Sequence, residues 1–99
     1  MSYSKLKMDL EQLRNKWKEQ GLICEVWELS PGDSWSDPGH KTDEFFVLLE
    51  GQMKVSCQGK VSNLEIGQEI MVPAKEPHTV SNHGETAGRV CWIHQPNFA

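Results

Sequence analysis

His40, Glu44 and His78 are the residues of this 99-residue chain whose types and spacing point to chemistry. Two imidazoles and a carboxylate are nitrogen and oxygen donors of the kind that non-haem iron centres use, with positions left open for substrate and oxygen. Fe, Mn, Zn, Ni and Cu all accept that donor set, so the expected cofactor is a divalent transition metal of unspecified identity. Spacing limits how the donors can meet. Residues four apart on one straight strand are separated by ~13 Å, too far to share an ion. Lys41-Thr42-Asp43 is therefore expected to turn the chain and set His40 beside Glu44 on neighbouring antiparallel strands, about 5 Å apart. His78 comes from a third strand, beyond Pro73 and Pro77, which stiffen the connection before it. The plain alternative leaves His40 and Glu44 in a polar surface loop and His78 at a strand end.

Glycines and prolines frame these residues in two runs. The first extends from Pro31 through Gly32, His40 and Glu44 to Gly51, and the second from Gly67 through Pro73 and His78 to Asn82. Together they resemble the paired motifs of the cupin superfamily, G-x5-H-x-H-x3,4-E-x6-G and G-x5-P-x-G-x2-H-x3-N. Gly32, His40, Glu44 and Gly51 fall on the first motif, and Gly67, Pro73, His78 and Asn82 on the second. Pro38 stands where the family has its first histidine, and Lys75 where the second motif has glycine. The resemblance spans about residues 21–93. It implies an all-β fold, a single cupin-like jelly-roll β-barrel, with a metal held by His40, Glu44 and His78. It also implies either a small-molecule enzyme of oxygenase or isomerase type, or a non-enzymatic binding or sensor barrel whose metal site is degraded or empty. The fold alone does not choose between them.

Other side chains near these runs are weaker candidates. His83 and His94 are possible replacements for the missing imidazole, His83 being placed in an exposed turn and His94 at the end of the last strand. Asp33 and Asp37 are read as turn residues, with ligation a minor alternative. Trp27, Trp35, Phe46 and Trp92 are read as core and interface packing, some of them able to line a ligand-binding mouth. No serine–histidine–aspartate order and no phosphate-cradling glycine loop is present.

The elements that must position the donors follow from periodicity and turn signals. Leu6, Leu10, Leu13 and Trp17 recur at helical spacing, predicting an amphipathic N-terminal helix over about 5–20 in a segment 1–20, with Ser4 as N-cap and Gly21 as the stop. The barrel domain is then 21–99. Strands are predicted over 23–29, 44–49, 53–57, 61–64, 70–73, 78–81 and 89–94. Gly51 is expected at positive φ in a hairpin turn, with 53–57 pairing back on the Glu44 strand. That strand is apolar on both faces beyond Glu44, so one face should meet the helix or a second subunit.

Ninety-nine residues make one domain. The net charge of −4, with residues 1–20 carrying a small positive excess, argues against a nucleic-acid partner. No apolar run has the length of a membrane span. Cys24, Cys57 and Cys91 are odd in number and widely spaced, which predicts reduced, mostly buried thiols and a cytoplasmic protein. A homodimer with a small-molecule ligand is the expected assembly.

Overall fold

The computed structural model describes residues 10–96. One helix, α1 (Leu10–Lys18), precedes eight strands: β1 (Ile23–Leu29), β2 (Ser34–Asp37), β3 (Glu44–Glu50), β4 (Met53–Cys57), β5 (Lys60–Leu64), β6 (Glu69–Val72), β7 (His78–Ser81) and β8 (Gly88–His94). The Ser4 cap and the first predicted turn of the helix lie outside the described residues. The helix end is where Gly21 puts it. Gly21 takes φ 78°, its N–H donates to the Lys18 carbonyl, and the Leu22 N–H donates to that of Trp17. Those two bonds satisfy the carbonyls a helix otherwise leaves open, a Schellman closure.

The strands form two antiparallel sheets of four, ordered β1-β8-β3-β6 and β2-β7-β4-β5. This is the jelly-roll arrangement seen as two facing sheets. Six of the seven connections between successive strands cross from one sheet to the other; only β4 and β5 form a hairpin. Gln58 (φ 55°) and Gly59 (φ 76°) are the two residues of its turn, both at positive φ, the conformation a two-residue hairpin loop with right-handed twist requires.

Two expectations are corrected here. Gly51 does take positive φ, 90°, and a side chain there would begin 2.8 Å from the Gly88 Cα. Its turn is not a hairpin, however, because β4 pairs with β5 and β7 rather than with β3. Likewise His40 is not on a strand beside Glu44. It sits on the link from β2 in one sheet to β3 in the other, and Glu44 has β6 and β8 as the neighbours of its strand. β2, between the Gly32 turn and Pro38, had no signal strong enough to be read from sequence. Trp35 is its only apolar residue.

Both faces of β3 are buried, for different reasons. Phe46 and Leu48 point between the sheets, with Trp92, Val90, Met53, Val55 and others. Val47 and Leu49 point outward, where Leu13 and Trp17 of α1 cover them together with Cys24, Cys91 and Ile93. Trp17 stacks on Phe45 with ring centroids 4.9 Å apart, and Lys16 pairs with Glu69 on β6. The helix is thus the second layer that the doubly apolar strand demands. The three cysteines are free thiols. Burial pushes the Cys91 thiol well up, so it is unreactive.

Candidate metal centre

Glu44 opens β3 and points between the sheets; it is 1% exposed, although it is a carboxylic acid. Its Oε1 accepts a 2.6 Å hydrogen bond from the Trp92 indole N–H. Phe46 faces Trp92 across the β3–β8 ladder, so Glu44, two residues earlier on the same face, lies diagonal to that indole. Burial pushes the Glu44 carboxyl up, opposed by the Trp92 bond and by the His40 and His78 rings, and assisted by the Asp37 charge.

His78 starts β7 in the opposite sheet and is also buried. Its Nδ1 lies 3.0 Å from the Glu76 carbonyl. A carbonyl can only accept, so Nδ1 carries a proton, which in a neutral imidazole makes Nε2 the lone-pair atom. That Nε2 lies 3.7 Å from Glu44 Oε1 and has no hydrogen-bond partner; Glu44 Oε2 has none either. The cluster therefore holds two buried polar atoms, His78 Nε2 and Glu44 Oε2, that no hydrogen bond satisfies.

His40 approaches from the β2–β3 link. Its Nε2 lies 3.7 Å from Glu44 Oε2 and 2.8 Å from Asp37 Oδ2. The link is held against the loop preceding His78 by a hydrogen bond from the Lys75 N–H to the His40 carbonyl. Gly39 permits this approach, since a side chain there would begin 2.7 Å from the Lys75 carbonyl carbon. Lys75, in the position of the family's glycine, takes φ 68°. The conformation is kept although the residue is not glycine.

The structure brings His40, Glu44 and His78 to one place. Among the described residues, no group of three or more His, Cys, Asp or Glu side chains is arranged so as to hold a metal ion. Asp37 takes up His40 Nε2. In kind the donors fit a divalent transition ion. Donors on one ion with bonds of ~2.1 Å are separated by roughly 3.0 Å at right angles and 4.2 Å across it, and the observed separations from Glu44 are 3.7 Å. The two unpartnered acceptors are what a cation would satisfy.

His83 is exposed in the turn after β7. His94 is buried, but its ring stacks on Trp92 at 3.9 Å and its Nε2 lies 3.2 Å from Glu25, so it is engaged away from Glu44. Asn82 is a brace for the backbone, donating to the carbonyls of Leu29 and Thr86 and accepting from the Gly84 N–H. Asp37 serves the turn as expected, its Oδ1 accepting from the Gly39 N–H, while its contact with His40 and the Trp92 bond to Glu44 were not anticipated. The pairing of β3 with β8 and of β2 with β7 reveals both, and no local signal carries it.

The cupin-domain family matches residues 25–94, and the chain belongs to that family. No curated protein matches it. Among solved structures it is similar to a cupin superfamily protein from Desulfitobacterium hafniense, at TM-score 0.67 and 17% identity over 75% of this chain and 66% of that one. It is similar also to the cupin domain of an XRE-family transcriptional regulator from Enterobacter cloacae, at TM-score 0.68 and 19% identity over 81% and 87%. A third likeness is to FeII HppE in complex with substrate, at TM-score 0.65 and 21% identity over 76% and 46%. The chain therefore spans about two-thirds of the first of these and under half of the last. At such identities the likeness shows the fold.

Proposed function

We propose that this cupin holds one divalent transition metal through His40, Glu44 and His78 and uses it on a small molecule, in a reaction of oxygenase or isomerase type. The observation that carries the reading is that two buried acceptors, His78 Nε2 and Glu44 Oε2, lack a hydrogen-bond partner on side chains that approach to 3.7 Å through Glu44 Oε1. A buried group left in that state costs about 1–3 kcal/mol, and a bound cation removes the cost. When bound, such an ion supplies Lewis acidity and open coordination positions. The Glu76 carbonyl fixes the His78 tautomer that leaves Nε2 free to ligate, and Trp92 fixes the Glu44 carboxylate. A cleft of about 280 Å³ on the β2–β7–β4 sheet is lined by Asp37 and His78 together with Ser36, Ser56 and Thr79; it is slightly smaller than the usual ligand site.

A non-enzymatic sensor or binding barrel is the second reading. Trp35 favours it, because its ring packs edge-on against Phe46, His78 and Trp92 at 5.7–6.4 Å and fills space beside the donors. Elemental analysis after metal-supplemented expression tests the metal centre. Wild type should carry about one ion per chain, His78→Ala should lose it, and His83→Ala should keep it. Equal metal in wild type and His78→Ala overturns the site. An activity screen with the metal found then separates enzyme from sensor.

A further inference from the structure

Asp37 is the last residue of β2 and lies directly opposite His78 in the β2–β7 ladder. Its side chain is only 10% exposed. Oδ1 accepts from the Gly39 N–H at 2.8 Å, which closes the turn around Pro38. Oδ2 is thereby aimed at His40 Nε2, 2.8 Å away. Pro38 has no donor atom to offer, so the residue beside it is the nearest side chain able to supply one.

Two carboxylates in a largely buried site are unfavourable on their own, and the Asp37 charge is among the influences holding the Glu44 carboxyl up. A divalent cation reverses that preference, because two carboxylates and two neutral imidazoles then sum to zero charge. The His40–Asp37 contact is a 2.8 Å hydrogen bond as it stands, and a cation in place of that proton would need the two atoms at about the same separation, ~3.0 Å for donors at right angles. The unpartnered, buried Glu44 Oε2 and His78 Nε2 lie on the other side of the same cluster. The two carboxylates thus share the cluster with unsatisfied buried acceptors on Glu44 and His78 that call for a cation.

Resting on the metal-binding reading above, we infer that Asp37 is a fourth ligand, making the centre one of two histidines and two carboxylates. Replacing an imidazole nitrogen with a carboxylate oxygen hardens the site. It raises affinity for Mn²⁺ relative to Ni²⁺, compared with a site of three imidazoles and one carboxylate.

The test is calorimetric titration with Mn²⁺ and with Ni²⁺ on wild type, Asp37→Ala, Asp37→His and His78→Ala, each checked for an unchanged circular-dichroism spectrum. Asp37→Ala should weaken Mn²⁺ binding by at least ~10-fold. Asp37→His should bind both ions and raise the Ni²⁺-to-Mn²⁺ affinity ratio by roughly 10-fold or more. An aspartate that merely orients His40 would alter affinity for both ions by one factor, and an unchanged ratio in Asp37→His overturns the ligand assignment. Equal Mn²⁺ binding by wild type and Asp37→Ala overturns it too, while loss in His78→Ala leaves the three-residue centre standing. Wild type that binds neither ion overturns both readings. Should Asp37→His fold poorly, Asp37→Asn provides the second arm, and it should weaken Mn²⁺ more than Ni²⁺.

Discussion

Glu44 is the side chain on which fold stability and metal binding pull in opposite directions. Buried among Trp92, His40 and His78, its carboxyl is held above the ordinary 4.5, chiefly by loss of water. A carboxyl whose folded pKa is raised binds its proton more tightly in the native state. Its contribution to stability is present in full below the unfolded value and is lost as pH rises through the folded one. Metal binding has the reverse dependence, since it needs deprotonated ligands and weakens as pH falls. Glu44→Gln keeps an oxygen for the Trp92 N–H and removes the buried charge. The metal-free variant should therefore be more stable than metal-free wild type at pH 7.5, by about 1 kcal/mol, with the gap closing towards pH 4.5. It should retain no metal. Thermal melts of chelator-treated protein across that range check the sign, and a gap that widens on acidification would show that burial does not disfavour the Glu44 charge.

Connections between strands decide whether the donors meet. The Gly39–His40 link and the loop at Lys75 touch backbone to backbone, and they carry His40 and lead to His78. Gly39, at φ 109°, meets two penalties on gaining a side chain, a disfavoured backbone conformation and a collision with Lys75. Gly39→Ala should cost roughly 2–3 kcal/mol and weaken metal retention, as calorimetry and elemental analysis would report. Lys75→Gly relieves a left-handed lysine but frees the unfolded chain, so a net change within ~1 kcal/mol is expected. These links also mark how far the sequence could be read. Strand positions other than that of β2 were legible because β-branched and aromatic runs are cut by glycine and proline at nearly every turn. Partners were not, because Gly51 supplies positive φ equally to a hairpin and to a crossover between layers, and alternation of side chains is the same in both. Glu44 and His78 were legible as candidate donors, and both are buried. That His40 reaches them from a crossover, with Asp37 beside it, depends on long-range pairing that no local spacing encodes.

For the molecule as a whole, the question is what covers its apolar surface. The doubly apolar β3 and the apolar stripe of the helix motivated the expectation of a dimer, yet α1 and the outer face of β3 cover one another, with Leu13 and Trp17 almost fully buried. The case for a second copy now rests elsewhere. β1 is an edge of its sheet, and on it Ile23 and Trp27 are 40% and 42% exposed. Trp27 stacks on Trp35 with centroids 5.2 Å apart, which holds its ring in place. An edge strand bearing ordered apolar side chains is a natural pairing surface unless charge protects it. Glu25 and Glu28 are exposed on the same strand, so an assembly through β1 would be weakened by raising their repulsion and strengthened by salt, which screens it. A homodimer through this edge is accordingly expected at micromolar concentration, with a sedimentation mass about twice the 11.3 kDa of one chain. Trp27→Glu should return it to a monomer while leaving the melting temperature of the fold largely intact, since half of that ring already faces solvent. A wild-type mass near that of a single chain would overturn the dimer. A dimer unaffected by Trp27→Glu would place the interface away from β1.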